Sequence, residues 1–132
     1  MKKCLTSYKC DITATKIKFN KLTQGELIAF EHACDFYLQH KENEITSTSA
    51  DKLRNLCSEI HRYLEYRDTT GTHCSIKRVE NCYSIKLKVT NDNMNVIHNA
   101  LVFYGECGSM VGADVGGYLG GAIERFDSNS DH

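Results

Sequence analysis

The pattern of apolar and polar residues predicts extended structure at the start of the chain. Between residues 4 and 20, apolar and polar positions mostly alternate, as they do on a strand with one buried face. The phase of this alternation shifts by one residue before Ile17 and Phe19. The shift indicates a bulge, or two short strands joined near Asp11.

The clearest strand prediction is a hairpin in the second half of the chain. Residues 82–89 alternate strictly between polar and apolar side chains, and residues 73–77 do so before them. A two-residue turn at Glu80–Asn81 would join the strands and place Ile76 opposite Ile85 on the buried face. The lysines of both strands would then project from the opposite face into water.

Apolar residues at helical spacing predict three amphipathic helices. The first begins after Thr23, which forms a capping box with Glu26. We expect Thr48 and Asp51 to cap the second helix, and a third helix to follow the turn-like residues 91–95. The three apolar stripes are Leu27, Phe30, Cys34, Tyr37 and Leu38; Leu53, Leu56, Cys57, Ile60, Tyr63 and Leu64; and Met94, Ile97, Leu101 and Tyr104.

The last third of the chain is rich in glycine. Residues 105–126 hold seven of the nine glycines, and those at positions 108, 112, 116 and 120 would form one smooth stripe on a helix. Each interior glycine disfavours a helix by roughly 1 kcal/mol relative to alanine, so a close neighbour must compensate. We therefore predict a glycine-rich helix that packs closely against another backbone, with glycine-rich turns as the alternative.

These elements together predict an α+β fold. We expect a small antiparallel sheet of three or four strands with three or four helices packed on one face, the last helix being glycine-rich. The chain has 132 residues, of which 41% are hydrophobic and 25% charged, which is typical of one globular domain. We expect residues 1–126 to form that domain and residues 127–132 to form a polar tail.

Composition limits the partner and the compartment. The formal net charge of −1 gives no overall attraction to nucleic acid or to membranes, and the apolar run in the glycine-rich segment is too short to span a bilayer. Seven cysteines without a C-x-x-C pair are typical of free thiols in a reducing compartment. Lys9 and Asp11 arrive before a secretory apolar core could form, so we expect a cytoplasmic protein.

No sequence motif identifies a catalytic, cofactor or metal site. Residues 116–121 lack the glycine order of a dinucleotide-binding loop, and no phosphate-binding lysine comes after them. The six histidines lack metal-ligand spacing. A cysteine–histidine pair, such as His61 or His73 with Cys74, would have to assemble in space. The sequence therefore assigns no catalytic residues, and we expect neither a metal nor a cofactor.

Two charged surfaces are the candidate binding sites. Outward lysines on the sheet would suit phosphates or an acidic protein surface, although the outward positions lack the aromatic side chains that stack on RNA bases. The outer face of the first helix is acidic and would suit a basic partner. Both sets are also typical of an ordinary solvated surface. The lysines are Lys16, Lys18, Lys77, Lys86 and Lys88, and the acidic residues are Glu31, Asp35 and Glu42.

The absence of motifs favours a small cytosolic binding protein that acts by surface complementarity. Its partner would be another protein, as for an immunity protein that neutralises a toxin or other effector, with nucleic acid as the weaker candidate. The alternative is a metal-independent hydrolase, such as a nuclease, using His61 or His73 with nearby lysines. A cleft with one such histidine near a second polar group would favour the hydrolase, and a flat charged face the binder. A further alternative is self-association as a homodimer through Gly112, Gly116 and Gly120.

Overall fold

The computed structural model describes residues 8–67, 71, 73–88 and 91–130. Within these residues the chain forms a four-stranded antiparallel sheet and four α-helices, which confirms the predicted α+β class. In chain order the elements are β1 Cys10–Ile12, β2 Lys16–Leu22, α1 Gln24–Lys41, α2 Ser47–Tyr66, β3 Cys74–Val79, β4 Cys82–Lys88, α3 Asn91–Glu106 and α4 Met110–Ser130.

The sheet has the strand order β1-β2-β4-β3, so that β2 and β4 form its centre. In their antiparallel register Ile17 lies opposite Leu87 and Phe19 opposite Ile85, and all four side chains are fully buried. The predicted β3–β4 hairpin is confirmed, with Ile76 opposite Ile85. Because side chains alternate between the two faces of a strand, burial of these residues leaves their neighbours on the other face.

The predicted extended structure forms two strands, β1 and β2, which are joined at residues 13–15 and not near Asp11, since Asp11 lies inside β1. Residues 4–7 of the predicted stretch lie outside the described residues. The backbone N–H of Thr13 donates to the carbonyl of Lys16 at 2.9 Å and closes the turn between the two strands. A second irregularity lies in β2, where the register with β4 shifts between Phe19 and Leu22, and Lys21 has a φ of 55°. Since an extra residue in a strand moves the residues after it to the opposite face, this bulge allows both Phe19 and Leu22 to be buried.

One hydrophobic core lies between the buried face of the sheet and the helices. Helices α1, α2 and α4 contact strands, and α3 packs against α1 and α4. The predicted capping box of α1 is confirmed, since the Glu26 N–H donates to Thr23 Oγ1 and the Thr23 N–H to Glu26 Oε1. The predicted cap of α2 is wrong. Thr46 caps this helix by accepting from the Ser49 N–H at 3.1 Å, because the run of hydroxyl residues 46–49 offers several caps and the helix begins at the first of them.

A tight turn between α3 and α4 brings the two helices together. Gly108 has a φ of 119°, and the N–H of Ser109 donates to the Tyr104 carbonyl while that of Gly108 donates to the Gly105 carbonyl. These two bonds form a Schellman motif, in which glycine readily adopts the left-handed conformation. Ser109 Oγ then caps α4 by accepting from the N–H of Gly112 at 2.9 Å.

The glycine stripe of α4 packs against α3 of the same chain. A Cβ added to Gly112 would lie 2.8 Å from the Tyr104 ring, and one added to Gly116 would lie 3.3 Å from the Leu101 Cβ. A Cβ on Gly120 would lie 3.2 Å from His98 Nε2. The predicted close packing is therefore present within the chain. Gly112 and Gly116 are buried against α3 and Gly120 is half-buried, so the close contact does not require a second copy of the chain.

Helix α4 is continuous to Ser130 and so includes residues 127–130, which the sequence assigned to the polar tail; residues 131–132 lie outside the described residues. Among the described residues, none of the helices combines the length and hydropathy that crossing a bilayer requires.

The close contact of α3 with α4 predicts opposite effects of two glycine substitutions. A Cβ on Gly105 would lie 2.8 Å from the Cβ and 2.9 Å from the Cα of Ala113, whereas one on Gly117 would meet nothing within 4 Å. Gly105→Ala should therefore reduce the free energy of unfolding by about 1–3 kcal/mol, because the contacted Cα belongs to the backbone. Gly117→Ala should increase it by about 0.5–1 kcal/mol through helix propensity. Urea denaturation of both variants measures the difference, and effects of the same sign would contradict the packing.

Candidate functional site

All five predicted lysines lie on the face of the sheet that none of the described helices covers, which we call the lysine face. Lys16 and Lys88 are register partners across β2 and β4, and so are Lys18 and Lys86. Lys77 lies opposite Ser84 on β3. All five side chains are exposed, and their alternation with the buried residues of the same strands places them there. The structure thus brings together the complete lysine set that the sequence predicted.

The lysine face is not neutralised from within the described part of the chain. None of its five lysines forms an ion pair with a described carboxylate. Asp11 on β1 is the register partner of Lys18, but its carboxylate accepts a hydrogen bond from Asn20 at 3.4 Å. Like charges directly opposite each other in a sheet are destabilising. The face therefore carries a concentrated positive charge that an anionic surface would relieve.

Two cavities open on this side of the sheet. A cavity of about 330 Å³ lies at the end where β2 and β4 carry Lys16 and Lys88. It is also lined by Lys86, Ser75 and His73. A larger cavity of about 730 Å³ lies at the β3–β4 turn. The face is thus basic along its length and has a recess at each end.

His73 lies at the edge of the smaller cavity and is bound to Glu59 of α2. Its Nδ1 lies 2.6 Å from Glu59 Oε2, and its Nε2 lies 3.3 Å from Asn55 Nδ2. The backbone N–H groups of His73 and Cys74 also donate to Glu59, both at distances near 3 Å. Since the Asn55 amide N–H donates to Nε2, Nδ1 carries the proton that is donated to Glu59. Both ring nitrogens are therefore engaged inside the protein.

Electrostatics around Glu59 follow from these bonds. Burial alone would raise the pKa of Glu59, but the hydrogen bonds from the His73 ring and from the backbone of His73 and Cys74 outweigh it and lower the pKa. Burial and the nearby Glu59 raise the pKa of the Cys74 thiol to about 12. A thiol with such a pKa is protonated at neutral pH, so Cys74 is not an activated nucleophile beside His73. The cluster attaches the start of β3 to α2.

The acidic residues of the first helix do not form one free surface. Glu31 lies against α2, where its carboxylate is 3.2 Å from His61 Nδ1 and its side chain is only 14% exposed. Asp35 accepts from Gln39 at 2.7 Å, and Glu42 accepts from Arg54 at 3.0 Å. Glu31 is thus at the α1–α2 contact rather than on the outer face, because α1 packs on α2 along that side.

In the described ranges, no group of three histidine, cysteine or acidic side chains is arranged to hold a metal ion. The six described cysteines are all free, and burial raises the pKa values of Cys10 and Cys57 to about 12 and about 11.

The sequence interpretation missed the polar residues of α2 that support the lysine face from the buried side. Asn55 and Glu59 are separated by one helical turn, and Lys52 is one turn earlier, so all three border the apolar stripe of α2. Polar residues at helical spacing beside a buried stripe were the available signal. It also missed Val79, an apolar residue in the outward phase of β3 that is 60% exposed.

Comparison of the chain with protein-family models, with curated proteins and with solved structures finds no match in any of the three.

The hydrogen bonds of His73 and Cys74 to Glu59 predict that substitution of Glu59 reduces the stability of the protein by an amount that depends on pH. Glu59→Gln should reduce the free energy of unfolding by about 1–3 kcal/mol at pH 7, because it weakens three hydrogen bonds to a charged acceptor. The folded-state pKa of Glu59 lies below its ordinary value of 4.5, so its contribution is complete above pH 4.5 and is lost as pH falls through the folded-state pKa. Urea denaturation at several pH values should show the difference from wild type shrinking in acid. The exposed Glu65 provides the control, since Glu65→Gln should change stability by less than about 0.5 kcal/mol. A difference independent of pH would contradict the role of the Glu59 charge.

Proposed function

We propose that this protein is a binding protein that recognises an acidic surface of another protein through the lysine face. The observation that carries the proposal is the arrangement of five exposed lysines on one sheet face that no described helix covers, without an ion pair to any described carboxylate. Two pairs, Lys16 with Lys88 and Lys18 with Lys86, are directly opposite each other.

The cost of this arrangement supports a partner of opposite charge. Cross-strand neighbours of like charge reduce the stability of the free protein, whereas alternating charges would stabilise it. An acidic surface that docks on the face removes this repulsion and gains ion pairs. Complementary potentials also steer the encounter and increase the association rate, and this effect weakens as salt increases.

The chemistry of the face favours a protein partner over nucleic acid. Its outward positions carry lysine, serine, asparagine, valine, cysteine and, on β1, the aspartate Asp11, with no outward aromatic ring in the described strands on which a base could stack. The whole chain has a formal net charge of −1, so the attraction to an anion is local. The free cysteines support a cytoplasmic location. An inhibitor such as an immunity protein that neutralises a toxin is one example of this class.

Charge reversal on the lysine face tests the proposal. The variant K16E/K86E/K88E is compared with K41E/R54E/R62E, whose positions lie on the helices. Each variant replaces three positive by three negative side chains and changes the formal net charge from −1 to −7. Binding to poly-glutamate, as an acidic polypeptide probe, is measured by titration at increasing salt, with single-stranded poly-U RNA as the competing probe.

We expect wild type and the helix variant to bind poly-glutamate with an affinity that decreases steeply with salt, and the lysine-face variant to lose binding. The lysine-face variant should keep a thermal midpoint close to that of wild type, because its exchanged side chains are exposed and form no ion pair with a described carboxylate. The helix variant loses the ion pairs of Arg54 with Glu42 and Asp51, so its midpoint should decrease, and binding is compared at a temperature well below both midpoints. Undiminished binding by the folded lysine-face variant would contradict the proposal. Stronger binding to poly-U than to poly-glutamate would assign the face to nucleic acid instead.

A metal-independent hydrolase is the second candidate, and the position of His73 favours it. This histidine borders the cavity that holds Lys16, Lys86 and Lys88, and its Nδ1 is 2.6 Å from Glu59. A histidine oriented by a carboxylate is the usual form of a general base. The binding function is better supported, because Nε2 faces Asn55 and both ring nitrogens have protein partners.

Hydrolysis of an RNA oligonucleotide in the presence of EDTA separates the two functions. The binding proposal predicts no cleavage above background by wild type. Cleavage that is lost in a folded His73→Asn variant would establish the hydrolase and contradict the assignment of the face to binding alone.

A further inference from the structure

The hairpin end of the lysine face differs chemically from the other end. The cavity of about 730 Å³ there has Val79 and Cys82 in its lining, which are register partners next to the β3–β4 turn. Val79 is 60% exposed, and an exposed β-branched apolar side chain in a recess is a natural contact for another apolar group. Lys18 and Lys77 also line the cavity. The recess therefore combines an apolar surface with positive charges.

The backbone around this recess is irregular on both sides. The β-bulge in β2 falls at Asn20–Lys21, and Lys21 has a φ of 55°. In the turn between β3 and β4, Glu80 has a φ of 58°. Non-glycine residues seldom adopt such angles, and a bulge bends its strand away from regular pairing. Asn20, Lys21 and Glu80 all line the cavity, so its shape is set by the backbone on two sides.

We propose that this recess is an anchor site for one aliphatic or aromatic side chain of an acidic segment in a partner protein. The inference rests on the proposed function and adds the chemistry of the partner segment. Three lysines line the recess, namely Lys18, Lys21 and Lys77, whereas Glu80 contributes one carboxylate to it. The recess therefore attracts acidic groups. An apolar side chain between those groups would cover Val79.

The dimensions and position of the recess fit this role. Its volume lies within the range of about 300–1,000 Å³ that ligand pockets occupy. Protein interfaces gain most of their affinity from a few apolar or aromatic residues in recesses, surrounded by polar contacts. Here the surrounding polar contacts are the lysines, and the recess lies beside them on the same surface. A nucleic acid backbone would use the lysines but would leave Val79 exposed.

Three synthetic nine-residue peptides test the proposal. The first has a central phenylalanine between glutamates, the second has alanine in place of phenylalanine, and the third has phenylalanine between glutamines. Binding to the full chain is measured by NMR chemical-shift titration of the backbone amides. We expect the first peptide to shift amides of residues 18–21 and 77–84, and to bind at least about tenfold more tightly than either of the others, which is about 1.4 kcal/mol.

A pair of valine variants locates the anchor. Val79→Ser should reduce the affinity for the phenylalanine peptide to that for the alanine peptide. Val102→Ser is the matched control, because Val102 is also exposed but lies on α3, and it should leave the affinity unchanged. Thermal midpoints identify any variant that is unfolded. Val79→Thr keeps the β-branch, and its affinity for the phenylalanine peptide provides a second measurement at the same position.

The outcomes separate this inference from the proposed function. If the phenylalanine and alanine peptides bind with equal affinity and K16E/K86E/K88E binds neither, the anchor site is wrong and the lysine face remains a binding surface. Equal affinity for the glutamate and glutamine peptides would overturn the proposed function while the recess still binds phenylalanine. If none of the peptides binds, both are wrong. If free 3-phenylpropanoate binds as tightly as the phenylalanine peptide, the recess is a small-molecule site and the assignment to a partner segment is wrong.

Discussion

The antiparallel register of β2 with β4 determines both the core and the lysine face. It places Ile17 opposite Leu87 and Phe19 opposite Ile85 in the buried layer, and by alternation it places Lys16 opposite Lys88 on the other side. A slip by one residue would move lysines into the core and apolar side chains into water. Such a slip is strongly disfavoured, because burial of an ammonium without a partner costs several kcal/mol. The buried apolar pairs therefore keep the lysines on the outer face in spite of the repulsion between them. The charge on the face is thus maintained by packing on the opposite side.

Local sequence signals predicted the parts of the fold that depend on near neighbours. The hairpin register and the Thr23–Glu26 capping box depend on residues that are close in the chain, and the lysine face depends on strand alternation. Thr46 could not be selected in advance because four consecutive hydroxyl residues offered a cap. The Glu59–His73 bond joins α2 to β3 and depends on how the helix is placed over the sheet, which periodicity does not specify. The same limit explains why Glu31 was assigned to the wrong side of its helix.

The glycines of α4 contribute little side-chain packing, and close backbone contact and hydrogen bonds hold the helix in place instead. Gly116 allows α4 to approach Leu101 of α3. Tyr118 donates to the buried Glu26 of α1 at 2.6 Å, and this hydrogen bond together with burial raises the pKa of the tyrosine to about 12. Near the end of α4, Arg125 donates to the carbonyl of Cys10 in β1 at 2.6 Å. These two contacts fix the position of α4 along the sheet edge, because each has a direction that apolar packing lacks.

The two ends of the lysine face are supported by different contacts. At the Lys88 end, the ammonium of the buried Lys52 of α2 donates to the Lys88 carbonyl, and Glu59 holds the start of β3. Burial lowers the pKa of Lys52, so this contact is made at an electrostatic cost and fixes the strand end firmly to the helix. At the hairpin end, the bulge in β2 and the turn at Glu80 shape the surface instead. A face that is already ordered before binding loses less conformational entropy on association. Under the proposed binding function, the charges at the Lys88 end would steer the partner and the recess at the other end would hold its anchor.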